Sequence, residues 1–211
     1  MVTATPRILV TGFDPFGGAA LNPSWLVAQA LHGRRIAGHT VQAAQLPTVF
    51  GLSALRLGEL LQQHRPALAL CLGLAAGRAA LSLERVAINV NDARIPDNHG
   101  AQPVDGPVVN GGPAAYFSNL PVKAMLQAIR NEGVAAELSN SAGTFVCNHV
   151  FYALMHQLAV QPGLRAARGG FVHLPCLPEQ ASAAGTTHCM ALPDMVRGLQ
   201  LGLRAALAHT A

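Results

Sequence analysis

Charge is scarce in this sequence. Only 11% of its 211 residues are Asp, Glu, Lys or Arg, while 51% are hydrophobic; the charged share is about half the usual one. A monomer built from this composition has little charged surface, so a homo-oligomer that buries some of its faces is expected. The net charge of +4 and a pI near 9.2 come from a shortage of acids rather than from basic clusters. The densest basic run is Arg34-Arg35, which excludes a nucleic-acid footprint. Long hydrophobic runs are missing too. The most apolar stretch, ALALCLGLAAGRAALSL (67–83), is broken by Gly73, Gly77 and Arg78 and falls short of the ~20 residues a membrane span needs. MVTATPRILVTGF at the start has no charged segment followed by an apolar one, so no secretory leader is expected. Cysteines are few and unevenly spaced: Cys71, Cys147, Cys176 and Cys189. Without an export signal they read as free thiols in a reducing cytoplasm. No repeat or charged linker divides the chain, and one domain over 1–211 is expected.

What the sequence does contain is an alternation of strand-like and helix-like segments. RILVTGF (7–13) is β-rich and runs into a Gly/Pro loop, and Asn22-Pro23-Ser24 supplies an N-cap and a first-turn proline for a helix to Leu31. Strands are predicted at 39–47, 67–74, 81–90, 135–142 and 169–175, and helices at 49–64, 121–130, 145–160 and 194–209, with a polar loop over 91–112. ALALCLGL (67–74) is apolar at every position but its glycine, as a strand covered on both faces must be. The alternation predicts a three-layer α/β/α sandwich around a twisted mixed, mainly parallel central sheet. Sites in such folds gather beyond the carboxyl ends of the strands. That brings Asp14–Gly18, Leu74–Gly77, Asn91–Gly100, Gly143–Cys147 and His173 towards one another.

The glycine-rich loop TGFDPFGG fits neither G-x-G-x-x-G nor the P-loop, because Gly18 and Ala19 stand where Lys and Ser/Thr belong. Its two phenylalanines, Phe13 and Phe16, are either core plugs or walls of an apolar pocket. Cys147 admits three readings: a buried thiol, one arm of a metal clip with His149, or a nucleophile. Two residues apart on a helix, Cys147 and His149 point in roughly opposite directions, which disfavours the clip. A thiol at a helix N-terminus is favoured as thiolate and lies beside free N–H groups. A nucleophile needs a base, and His173, at the end of an apolar strand, is the best placed. A third group must orient that base. Glu84 interrupts the apolar run LSLERVAI, where burial is costly without a partner. Ion pairing with Arg78 or Arg85 is the alternative for Glu84, and Asp92, Asp97 and Asp105 are alternatives for the role.

Several long motifs occur in one order: TGFDPFGGAALNPSW (11–25), LPTVF (46–50), ERVAINVNDARIPDNHG (84–100), GPAAYFSNLPVK (112–123), SAGTFVCNHVFY (141–152), and GFVHLP with PEQ (170–180). Together they resemble the pyrrolidone-carboxylate (pyroglutamyl) peptidase family of cysteine peptidases along essentially the whole chain. The resemblance implies removal of an N-terminal pyroglutamate (5-oxoproline) from peptides, with neither metal nor organic cofactor, by a homo-oligomer that is foremost a tetramer. It also implies a Cys147–His173–Glu84 triad. Phe13 and Phe16 would line the ring pocket with Thr48, Ile95, Phe145 and Val146 nearby, and backbone groups would bond the lactam. Arg94 would position substrate or polarise the oxyanion. Leu74 stands where many family members carry Gln, and would contribute through its backbone carbonyl.

Overall fold

The computed structural model describes residues 5–209; the expected lack of a leader rests in part on residues 1–4, which lie outside them. In chain order the elements are β1 (Arg7–Phe13), α1 (Pro23–Leu31), β2 (Arg35–Ile36), β3 (His39–Leu46), α2 (Leu52–His64), β4 (Leu68–Leu74), β5 (Leu81–Glu84), β6 (Val86–Ile88), β7 (Ala115–Phe117), α3 (Val122–Asn131), β8 (Ala136–Ser139), α4 (Val146–Val160), β9 (Arg168–Leu174), α5 (Ala181–Ala184) and α6 (Leu192–Ala208). Seven strands form one sheet in the order β2-β3-β1-β4-β9-β5-β8. The centre, β3-β1-β4-β9, is parallel; β5 runs antiparallel to β9 but parallel to β8, and β2 is an antiparallel edge.

Period-two alternation sends successive side chains of each strand to opposite faces, and here both faces are covered. Ile8, Val10, Leu68, Leu70, Leu72, Val172 and Leu174 join α1, α3 and α6 in one core. Leu9, Ala69, Cys71 and Phe171 join α2 and α4 in the other. This is why the central strands read as continuous apolar runs. The expected sandwich and its mixed, mostly parallel sheet are therefore present.

The run 81–90 does not form the single strand its composition suggests. It divides at Arg85, whose N–H bonds the Ser139 carbonyl and whose carbonyl accepts from Ser118 N–H. Beyond it, β6 leaves the main sheet and pairs with β7. Asn148 of α4 holds this departure, accepting from Ile88 N–H and donating to the carbonyls of Ile88 and Val90. Both halves bury apolar side chains, so the hydrophobic pattern does not mark the break.

The predicted cap of α1 forms: Ser24 N–H donates to Asn22 Oδ1 at 3.1 Å, and Asn22 Nδ2 reaches back to the Asp14 carbonyl at 2.9 Å. Gly12 serves packing rather than phosphate binding, since a Cβ there would lie 2.3 Å from the Ser24 carbonyl oxygen.

Candidate active site

The strand alternation decides which side chains meet. On β9, His173 shares the α4-facing side with Phe171; on β5, Glu84 shares it with Ser82, because Leu81 and Leu83 turn to the opposite core. On β4 the corresponding position, in register with His173, is Gly73. A Cβ on Gly73 would sit 2.8 Å from Cys147 Sγ. The missing side chain is thus the space into which α4 lowers its thiol. Gly143, with φ of 73°, makes the left-handed turn that a β-carbon would disfavour just before α4. Cys147 follows as the second residue of that helix. Phe145 gives α4 no side-chain cap, so the first-turn N–H groups beside the thiol have no partner within the helix.

Glu84 is completely buried and His173 is 4% exposed. His173 Nδ1 lies 2.8 Å from Glu84 Oε1; Nδ1–H donates to the carboxylate, which leaves the lone pair on Nε2. Arg78 Nη1 donates to the same oxygen at 2.7 Å, and its Nη2 bonds the Ser141 carbonyl at 3.0 Å. The two sequence readings of Glu84, ion pair and histidine partner, are therefore both true of one carboxylate. Arg78 supplies the counter-charge that burial of an acid requires.

Burial pushes the Cys147 thiol up to about 12, the Glu84 carboxylate pushing the same way and Arg78 opposing it. The expected thiolate at the helix terminus is not favoured in this fold. A helix terminus contributes about 0.3–1 kcal/mol, less than the ~1.4 kcal/mol that corresponds to one pH unit, so desolvation wins. His173 is lowered from 6.5, also by burial, against the bond and charge of Glu84 that raise it. Burial thus disfavours the charged form of both groups.

Cys147 and His173 both line a cavity of about 150 Å³. A hollow of that size admits one small ring. Phe13, Phe16, Thr48, Leu74, Phe145 and Val146 form its walls together with Asn22 and Ala142. Phe145 is braced by Phe16, ring centroids 6.2 Å apart, and edge-on by Phe50 at 5.4 Å. Thr48 donates its hydroxyl to Asp14 Oδ1 at 2.7 Å, which commits that group to the loop. Ile95 lies outside this cavity, in an adjoining groove that also contains Phe16 and Leu74. Arg94 is exposed and lines neither hollow; its carbonyl accepts from Gln102. Sequence reasoning missed Asn22 and Ala142 as cavity residues and gave no role to Gly73.

His149 has neither ring nitrogen free for a metal. Gly51 N–H donates to Nε2 at 3.0 Å, so Nδ1–H donates to Asn91 Oδ1, also at 3.0 Å. Burial lowers its pKa from 6.5 to about 4. A base depressed in the folded state contributes stability that is complete above pH 6.5 and lost as pH falls towards 4, about 3 kcal/mol in all. Denaturant unfolding of wild type and His149→Gln across pH 4–6.5 should show a shallower pH slope in the variant. Identical slopes would remove His149 from this account.

A thiol and an imidazole beside an apolar hollow, the imidazole tied to a buried carboxylate, are the arrangement expected of one class of protein, the cysteine hydrolases. The sequence model of one family, pyroglutamyl peptidase, matches residues 6–209. A pyrrolidone-carboxylate peptidase of Cupriavidus taiwanensis is 52% identical over 98% of this chain and 95% of its own length. Its counterpart in Bacillus cytotoxicus is 50% identical over 95% and 92%. Among solved structures, pyroglutamyl peptidase I of Bacillus amyloliquefaciens superposes with a TM-score of 0.93 at 43% identity, covering 97% of this chain and 98% of the other. A mutant pyrrolidone carboxyl peptidase from Pyrococcus furiosus gives 0.91 at 38% identity, covering 95% and 98%. The chain belongs to the pyroglutamyl peptidase family.

Proposed function

We propose that this protein is a cysteine exopeptidase that hydrolyses N-terminal pyroglutamate from peptides, with Cys147 as nucleophile, His173 as acid–base group and Glu84 as the group that orients it. The observation that carries the reading is the shared ring-sized cavity of Cys147 and His173, with His173 tied at 2.8 Å to a buried carboxylate. A 5-oxoproline ring has no ammonium group, and an apolar hollow walled by Phe13, Phe16 and Phe145 suits it.

His173 Nε2 takes the thiol proton as Cys147 Sγ bonds to the pyroglutamyl carbonyl carbon, and the carbonyl oxygen becomes an oxyanion. The free N–H groups of the first turn of α4 stabilise that charge. The C–N bond then breaks as His173 returns the proton to the leaving amine. Water, deprotonated by His173, cleaves the thioester and frees 5-oxoproline and the thiol. Because the base must be neutral and burial depresses its pKa below 6.5, the acid limb of the kcat/KM profile should fall below pH 6.5. An acid limb above that value would contradict the assignment.

A panel of aminoacyl anilides tests the substrate. Pyroglutamyl anilide should turn over at least about 10³-fold faster than prolyl or alanyl anilide, since a charged ammonium entering the apolar hollow has no partner. Chelator should leave the rate unchanged. Broad turnover across the panel would instead indicate a less selective thiol amidase.

The apolar surface includes Val104, Phe117 and Leu55, at 79%, 71% and 62% exposure, which supports assembly into a homo-oligomer. Light scattering should give a mass above the 21.9 kDa of one chain. Among the described residues no helix is long and apolar enough to cross a membrane.

A further inference from the structure

The ring cavity adjoins a larger groove of about 580 Å³, and Phe16 and Leu74 line both. One wall is the glycine-rich segment after Phe16, with Ala20 and Leu21; the other is the stretch from Glu179 through α5, with Ala184. Gln180 Nε2 donates to the Leu21 carbonyl at 3.1 Å and ties the two walls together. Ile95 contributes a further apolar side chain, and Glu179 is the one charged side chain lining the groove among the described residues.

We propose that this groove binds the peptide that follows the pyroglutamyl residue. Leu74, Phe16 and Ile95 select an apolar side chain at the first position of the leaving peptide, and Glu179 favours a cation further along. The assignment rests on the peptidase reading above and extends it to the part of the substrate beyond the scissile bond. The cavity at the thiol holds one small ring, so everything after the attacked carbonyl must lie outside it. Leu74 follows Gly73, the position that a β-carbon would bring to 2.8 Å from Cys147 Sγ. Leu74 lines both hollows and so marks the threshold between them. A chain leaving the thiol past Leu74 enters a trough nearly four times the volume of the ring cavity.

Differences of an apolar side chain in such a pocket discriminate by roughly 10–200-fold. An exposed carboxylate such as Glu179 is screened by water and shifts preference only a few-fold.

The test compares kcat/KM for pyroglutamyl-Leu-Ala-amide and pyroglutamyl-Ser-Ala-amide, with pyroglutamyl anilide as the short substrate. Wild type should prefer Leu about tenfold, and Leu74→Gln should reduce the preference to under about threefold. Ala184→Trp and Ala20→Trp fill the groove from its two walls. Each should lower the rate on the tripeptide amides at least about tenfold and leave the anilide within about twofold. Glu179→Gln should erase a few-fold preference for Lys over Glu at the second leaving position. Wild type cleaving none of these compounds would overturn the peptidase reading itself. Wild type cleaving all of them, with a Leu/Ser ratio near one and tryptophan variants that treat long and short substrates alike, would overturn the groove alone. Using one tryptophan on each wall keeps the outcome decisive where either variant fails to fold.

Discussion

Cys147→Ala should leave no measurable turnover of pyroglutamyl anilide, a loss of at least about 10⁴-fold, in a protein that still folds. In the proposed mechanism the thiol sulfur bonds to the substrate, and removing one member of a group that acts as a unit costs nearly as much as removing all of it. Folding should survive because alanine suits the first turn of a helix. The substitution deletes a single sulfur above Gly73, a void worth about 1 kcal/mol. Thermal unfolding should therefore shift by only a few degrees. Cys147→Ser retains the base and the oxyanion donors but has a far less acidic and less nucleophilic atom, and should lose at least about 10³-fold. Normal turnover by either variant would move the nucleophile elsewhere.

Glu84→Gln should lower kcat by roughly 10³–10⁴-fold while KM changes little. The reason is a proton, not a contact. In the wild-type protein the Glu84 carboxylate can only accept, so His173 carries its proton on Nδ1 and offers a lone pair at Nε2. A glutamine can turn its amide towards Nδ1 and donate, which shifts the imidazole to the other tautomer and removes the base. Glu84 does not line the ring cavity, so ground-state binding should persist. Its bond and charge also raise the pKa of His173, and their loss should move the acid limb to still lower pH. A profile and a kcat matching wild type would pass the orienting role to another acid. Asp97 is a poor substitute, because its carboxylate already accepts from the N–H groups of Phe50, His99 and Ala101.

Much of this could be read without coordinates. The apolar runs at 7–13, 67–74 and 169–175 became central strands, and Asn22-Pro23-Ser24 capped the helix it was assigned. The ordered motifs pointed to the family that the comparisons then established. Other features were hidden for stated reasons. The run 81–90 divides because two different sheets each bury apolar side chains, and an apolar pattern carries no label for its partner. The resemblance gave Arg94 a part in positioning substrate or polarising the oxyanion, yet in the fold it lines neither the ring cavity nor the adjoining groove. Ile95, one residue along, faces the groove rather than the ring hollow. Gly73 looked like part of a buried strand, and only the register with His173 and the approach of α4 show why a side chain there would collide with the thiol.

The sequence by itself determined the alternation of elements, the parity of side chains along each strand, and therefore that His173 and Glu84 could face one side of the sheet. Those properties are local, set by backbone periodicity and hydrophobic pattern. Only the tertiary structure decided that β5 lies beside β9 and that α4 lays its first turn over Gly73. It also decided that Arg78 joins Glu84, and that burial pushes the thiol pKa up. The last point follows from desolvation, which depends on everything packed around the sulfur and on nothing in its immediate sequence.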